Sequence, residues 1–225
     1  MPEALLGTAM RLDHRVILAL DVSDADRARG LAKAVRGSVD AIKVNWPLVL
    51  AGGLRIVREF SNLAYVLADF KIADIPNTSS LIVEQAVQAG ASGVICHGFA
   101  GEDSVRACVE AAGTADVFVV TELSHPGGQE YTAKLAEDFA RLAVRAGAAG
   151  IIAPATRPDR VKALRRIVGK RLILAPGVGA QGGKASEAIA AGADAVIVGR
   201  TIYEAKDPAR AARDIADEIR SSTRK

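Results

Sequence analysis

The chain holds few of the residues from which metal, thiol or aromatic sites are usually built. Cysteine occurs twice, histidine three times and tryptophan once, and aromatics make up 4% of the sequence. Cys96 and Cys108 share no metal-ligand spacing and sit in apolar or helical contexts. Both read as reduced core or helix residues of a cytoplasmic protein. His14, His97 and His125 are too scattered for a zinc site. No run of 18 apolar residues occurs, so no membrane-spanning helix is expected. The stretch Met1–Arg15 carries Glu3 and Asp13 and only a short apolar patch, unlike a signal peptide. The net charge is only +3. Positive residues cluster only at Arg165-Arg166 and in the basic tail Arg220–Lys225, so no nucleic-acid partner is expected.

What is present is apolar material in a regular arrangement. Half of the 225 residues are hydrophobic and 24% are charged, a composition with ample core for a globular domain. Short β-branched or aliphatic runs occur at Arg15–Leu20, Ala41–Val44, Tyr65–Phe70, Gly93–His97, Val117–Thr121, Gly150–Ala153, Arg171–Ala175 and Ala195–Val198. Such runs read as parallel strands buried on both faces. Helical stretches lie between them. Asp24–Val35 follows Ser23 as N-cap, and Pro47–Phe60 and Pro76–Ala89 open on proline. Glu102–Ala112, Glu130–Ala146, Pro158–Val168, Lys184–Ala191 and Ile202–Ile219 complete the set. A weak repeat supports the division: Ala89-Gly90-Ala91, Ala146-Gly147-Ala148 and Ala191-Gly192-Ala193 each close a helix just before a strand. Eight strand–helix units predict one (β/α)8 barrel (a TIM barrel) over residues 1–225, with residues 1–14 as an N-terminal extension and 220–225 as a tail. An open doubly wound sheet is the alternative architecture.

In such a barrel the site lies at the C-terminal ends of the strands. Those ends are charged here. Strand one closes on Asp21, strand two carries Lys43, and strand three ends Asp69-Phe70-Lys71 with Asp74 in the following loop. Side chains alternate along a strand, so Asp69 and Lys71 face the same way. Facing inward, they meet Asp21 and Lys43, and three carboxylates share a confined space with two ammoniums. Densely packed titratable groups of this kind point to catalysis more than to a plain salt-bridge network, since leucine would fill a core without desolvating charge.

The loop after strand seven reads Pro176-Gly177-Val178-Gly179-Ala180-Gln181-Gly182-Gly183, and strand eight is followed by Gly199-Arg200. These two loops form the common phosphate site of barrels. Glycines let backbone N–H groups approach an anion, Arg200 can fork onto it, and Gln181 is a neutral donor in a mobile loop. Gly177, Gly179 and Gly182 also spell Gly-x-Gly-x-x-Gly. That pattern belongs to the first unit of a dinucleotide fold with an acid ending the next strand, and neither condition holds. Ser124-His125 after strand five lacks a nucleophile elbow, so Ser124 reads as a donor to a polar ligand rather than a hydrolase serine. His97 reads as a satisfied structural histidine or a catalytic one. Asp69, Asp74 and Glu122 are chemically admissible magnesium ligands.

Asp69-Phe70-Lys71-Ile72-Ala73-Asp74-Ile75-Pro76 resembles the signature of orotidine 5′-monophosphate decarboxylases. Leu18–Asp21, Ile42–Val44, Thr121–Gly127, Pro176–Gly183 and Val198–Arg200 fit the same family in order, from about Arg15 to Pro208. The resemblance implies conversion of OMP to UMP and CO2 without metal or cofactor. It implies Lys71 as proton donor to the ring carbon that loses CO2, and Asp69 against the departing carboxylate. Lys43 and Asp69 would hold Lys71, with Asp74 completing the network from the other subunit of a homodimer. Asp21 and Lys43 would bind ribose hydroxyls, with Thr78 from the partner. Ser124 and Gln181 would contact the pyrimidine or the closing loop. Pro176, Gly177, Gly179, Gly199 and Arg200 would surround the phosphate. The sequence departs from the pattern at Asn45-Trp46, beside Lys43, where a small residue followed by tyrosine is expected. Two alternatives stand beside this reading. One is a magnesium-dependent 3-keto-gulonate-phosphate decarboxylase or hexulose-phosphate synthase, which would need a glutamate where Lys43 stands. The other is a non-catalytic binder of a phosphorylated ligand.

Overall fold

The computed structural model describes residues 10–223. Eight parallel strands close into a barrel in chain order. They are β1 (Val16–Leu20), β2 (Ala41–Asn45), β3 (Tyr65–Ile72), β4 (Gly93–His97), β5 (Asp116–Val120), β6 (Gly150–Ile152), β7 (Leu172–Pro176) and β8 (Ala195–Val198). The helices are α1 (Ala25–Ala34), α2 (Trp46–Gly52), α3 (Arg55–Ser61), α4 (Pro76–Gln88), α5 (Glu102–Ala112), α6 (Thr132–Arg145), α7 (Pro158–Val168), α8 (Ala185–Ala190), α9 (Arg200–Tyr203) and α10 (Pro208–Thr223). Among the described residues no helix is long and apolar enough to cross a membrane.

Strand periodicity sorts the core into two layers. Val16, Leu18 and Leu20 pack outward against the helices, and Ile17 and Ala19 point into the barrel. The inner layer continues through Ala41, Leu67, Ile95, Phe118, Leu174 and Ile197. Burial on both faces explains why the strands read as unbroken apolar runs. The inward phase of each strand then fixes which residue emerges at its C-terminal end.

Most elements fall within a residue or two of expectation, and the departures have local causes. The cap of α1 is Asp24 rather than Ser23, its carboxylate accepting from the N–H groups of Asp26 and Arg27. The single helix expected over Pro47–Phe60 is broken where Gly53 adopts φ 70° and its N–H ends α2 on Val49 O. The helix expected over Ile202–Ile219 is two helices, the second restarted by Pro208, whose missing N–H is no loss at a first position. A 3-10 turn at Pro126–Gln129 delays α6 to Thr132. The three Ala-Gly-Ala repeats act alike. Gly90, Gly147 and Gly192 all have positive φ, and Ala91, Ala148 and Ala193 donate to the carbonyls of Ala86, Ala143 and Ala188. Each repeat is one Schellman stop that aims the chain into the next strand.

The first described residues pack against the barrel. Met10 is buried and Leu12 partly buried against the barrel interior, while His14 and Arg15 donate backbone N–H groups to Asp40. They close the bottom of the barrel, away from the charged strand ends. Residues 1–9 of the expected extension and 224–225 of the expected tail lie outside the described residues, and residues 220–223 are the last turn of α10.

Candidate active site

The inward phase brings four charged side chains together at the ends of β1, β2 and β3. Asp69 lies at the centre: Lys43 Nζ is 2.9 Å from one of its oxygens and Lys71 Nζ 2.7 Å from the other. Lys43 also reaches Asp21 at 3.0 Å. The row Asp21–Lys43–Asp69–Lys71 therefore alternates in sign and carries no net charge. Burial works against the ammonium of Lys43, but Asp69 and Asp21 outweigh it and raise its pKa. Burial likewise disfavours the Asp69 carboxylate, and the two lysines outweigh that and hold its pKa below the ordinary range. Lys43 and Asp69 are buried, whereas the two ends of the row, Lys71 and Asp21, have side chains 37% and 39% exposed and open to the cavity.

Lys71 is also held in an unusual backbone state. Its φ is +45°, one of two non-glycine positive values among the described residues, and the pairing of β3 with β4 shifts register between Ala68 and Ile72. A left-handed lysine costs on the order of 1–3 kcal/mol and persists only where surroundings over-determine it. Trp46 supplies part of that restraint: its indole N–H donates to Phe70 O at 2.9 Å, and its ring stacks on Phe70 with centroids 4.6 Å apart. Asn45 caps the N–H of Trp46 and pairs in register with Asp69. The departure at Asn45-Trp46 thus braces the strand end and leaves Lys43 on Asp69.

A cavity of about 270 Å³ opens over this row. Its floor is apolar, from Ala19, Ile95, Val120, Ile152 and Ile197, and Lys71 and Asp69 stand at its edge. Ser124, Pro176, Gly177, Gln181, Gly199 and Arg200 line the side across from β3. Arg200 is exposed and has no ion-pair partner among the described residues, so its guanidinium is available to an anion. The glycine loop is more closed than a mobile loop. Gly179 N–H donates to Gly183 O, Gly182 N–H to Gly179 O and Gly183 N–H to Gly177 O. Those three N–H groups are used inside the loop in this conformation. Gly179 does not line the cavity. It has φ 73°, and a Cβ there would stand 2.2 Å from Thr201 Oγ1, so it serves the turn.

The geometry sorts the remaining candidates. Asp69 and Glu122 line the same cavity, but Asp74 does not, and the three form no common cluster. Glu122 is fully buried between Arg157 Nε at 2.6 Å and Arg160 Nε at 2.9 Å, and among the described residues no cluster of three or more His, Cys, Asp or Glu is placed to hold a metal. Arg157 also donates to the carbonyls of Leu123 and Ser124, so this ion triad fixes the strand-five loop. Its signal in the sequence was weak, because the partners lie 35 and 38 residues from Glu122. Asp74 is exposed and accepts from the N–H of Ile75, and neither it nor Thr78 lines the cavity of its own chain. His97 is buried, and its Nδ1 has no hydrogen-bond partner among the described residues.

A profile of the orotidine 5′-phosphate decarboxylase / HUMPS family matches residues 14–215. The chain belongs to this family. The orotidine 5′-phosphate decarboxylase of Methanosarcina mazei is 58% identical over 212 residues, 93% of this chain and 96% of that protein. That of Pyrococcus abyssi is 49% identical over 208 residues, 91% of this chain and 99% of that one. Among solved structures, orotidine 5′-monophosphate decarboxylase from Methanocaldococcus jannaschii, complexed with inhibitor BMP, superposes with a TM-score of 0.87 at 40% identity, covering 91% of this chain and 97% of that one. The Pyrococcus horikoshii enzyme gives 0.85 at 46% identity, covering 91% and 99%. Membership and shared barrel agree with the signature at Asp69–Pro76.

Proposed function

We propose that the chain decarboxylates orotidine 5′-monophosphate to UMP and CO2, with Lys71 as the proton donor. The observation that carries the reading is the half-open Lys71 ammonium bound to buried Asp69 at the rim of an apolar-floored cavity. Breaking the bond to the carboxylate carbon leaves an electron pair on the ring carbon. A fixed ammonium stabilises that charge and then transfers a proton to the carbon, while CO2 departs. Asp69 would repel the leaving carboxylate, and Asp21 and Lys43 would bind ribose hydroxyls. Arg200, with the loop from Pro176 to Gln181, would bind the phosphate. Binding there can close the loop and complete the site. Ser124 and Gln181 would serve the pyrimidine or the closed loop.

Asp74 and Thr78 are assigned to the neighbouring subunit's site in a homodimer. Their exclusion from the cavity of their own chain supports this, as do the exposed apolar side chains of Trp46, Ile75 and Phe99 at the ends of β2, β3 and β4. The reaction is proposed to need no metal, because Asp21 and Asp69 are already paired with Lys43 and Lys71. The 58% identity to a named orotidine 5′-phosphate decarboxylase favours this activity over the magnesium-dependent sugar-phosphate reactions and over a non-catalytic binder. Loss of orotate-type ultraviolet absorbance, followed with and without EDTA, tests it. Equal rates are expected in both arms. Turnover restored only by added magnesium would refute the metal-free reaction, and no absorbance loss at all would refute the activity.

A further inference from the structure

Two buried serines form a knot behind Asp74. Ser79 lies in the first turns of α4 and Ser104 in the first turn of α5, and they are 0% and 1% exposed. Ser104 Oγ donates to Asp74 O at 2.7 Å, and Ser79 Oγ reaches the same carbonyl at 3.0 Å. The two hydroxyl oxygens are 2.9 Å apart. Hydroxyls are rarely buried without a task, because desolvation must be offset by well-made bonds. Here both converge on one backbone carbonyl, the one belonging to the residue whose carboxylate projects outward. On its other side Asp74 is fixed by the N–H of Ile75, which donates to Oδ1 at 2.7 Å. Ile75 O in turn accepts from Ser79 N–H at 3.0 Å, so the turn and the start of α4 are one hydrogen-bonded unit. The carbonyl is tied inward and the carboxylate is left facing solvent.

We propose that Ser79 and Ser104 are positioning residues that aim the Asp74 carboxylate into the neighbouring subunit's site. The inference rests on the reading of Asp74 as a residue supplied across the dimer. Neither serine lines the cavity, and the Asp74 carbonyl is the backbone acceptor that both hydroxyls share. A carboxylate displaced by about 1 Å can lower a rate by up to about a hundredfold. The double variant Ser79→Ala/Ser104→Ala is therefore expected to lose roughly ten- to a hundredfold in kcat/KM.

A lesion acting through a residue given to the neighbour has a signature that local damage lacks. Chains bearing Lys71→Ala and chains bearing Ser79→Ala/Ser104→Ala are co-expressed with different affinity tags, and the hybrid dimer is purified through both. One hybrid site then collects both lesions. The other keeps Lys71 from the serine-variant chain and receives Asp74 from a chain whose serines are intact. The hybrid is expected to show about half of wild-type activity, from one sound site of two. A hybrid no more active than its parents, beside a Lys71→Ala/Asp74→Asn hybrid that does recover activity, would show that the serines act within their own barrel and overturn the proposal. Failure of both hybrids would instead remove the shared-site reading, and the proposal with it. Should the double variant not fold, Ser104→Ala alone carries the test. Its effect on kcat/KM is expected to vanish in an Asp74→Asn background, and a full effect there would refute the coupling.

Discussion

His97 makes acid sensitivity a test of the site's electrostatics. Its side chain is buried, its Nδ1 has no partner among the described residues, and its ring lies 4.5 Å from that of Phe99. Burial, and then the charge of Lys71, lower its pKa from 6.5 to about 4, with Asp69 opposing. The folded value lies below the unfolded one, so between pH 6.5 and about 4 the unfolded chain binds the proton more readily. The stability contributed by the neutral imidazole is complete above pH 6.5, falls as the pH falls, and levels off below about 4. The slope is about 1.4 kcal/mol per pH unit, and the whole loss is about 3 kcal/mol. That is a large part of the roughly 5–15 kcal/mol of a typical domain. Urea unfolding of wild type and His97→Gln, at one fixed protomer concentration from about pH 7 to about pH 4.5, isolates the effect. Asp40, whose pKa is raised by burial, titrates in both proteins and cancels in the difference. Asp69, held low, takes up its proton below the window. The variant is expected to gain on wild type steadily as the pH drops. Parallel curves, or a His97 imidazole resonance titrating at an ordinary histidine pH, would refute the reasoning.

Three further outcomes are expected. Lys71→Ala should abolish turnover while leaving nucleotide binding largely intact, since a general acid contributes roughly a hundred- to ten-thousandfold to the chemical step; a variant keeping a tenth of wild-type kcat would remove Lys71 from that role. Arg200→Ala should lower kcat/KM for the nucleotide about ten- to a hundredfold and leave the unphosphorylated nucleoside nearly unaffected; equal losses for both substrates would place Arg200 away from the phosphate. Trp46→Phe keeps an aromatic ring on Phe70 but removes the N–H to its carbonyl, so kcat should fall about two- to tenfold with little change in KM; an unchanged kcat would show that the left-handed Lys71 needs no such brace.

The sequence by itself determined the barrel and the order of charges on its rim. Short β-branched runs separated by amphipathic stretches admit few other folds, and a period of two decides which side chains emerge inward. That is why Asp21, Lys43, Asp69 and Lys71 were legible as one group, and why the Ala-Gly-Ala repeats were legible as helix stops. Family membership made the activity legible as well, through the signature from Asp69 to Pro76. Other features required the closed structure, because a local pattern states a side chain's direction and not its partner. Glu122 and Asp74 looked alike as strand-end acids. Barrel closure buries Glu122 between Arg157 and Arg160, whereas Asp74 stays exposed, its carbonyl bonded by Ser79 and Ser104. The left-handed state of Lys71 coincides with a register shift between neighbouring strands, which no single strand encodes. The glycine loop folds on its own N–H groups, and the missing partner of His97 is a property of its packing. Direction along a strand is local and periodic, but distance across a barrel is set by pairing register and closure, and those follow from all eight strands together.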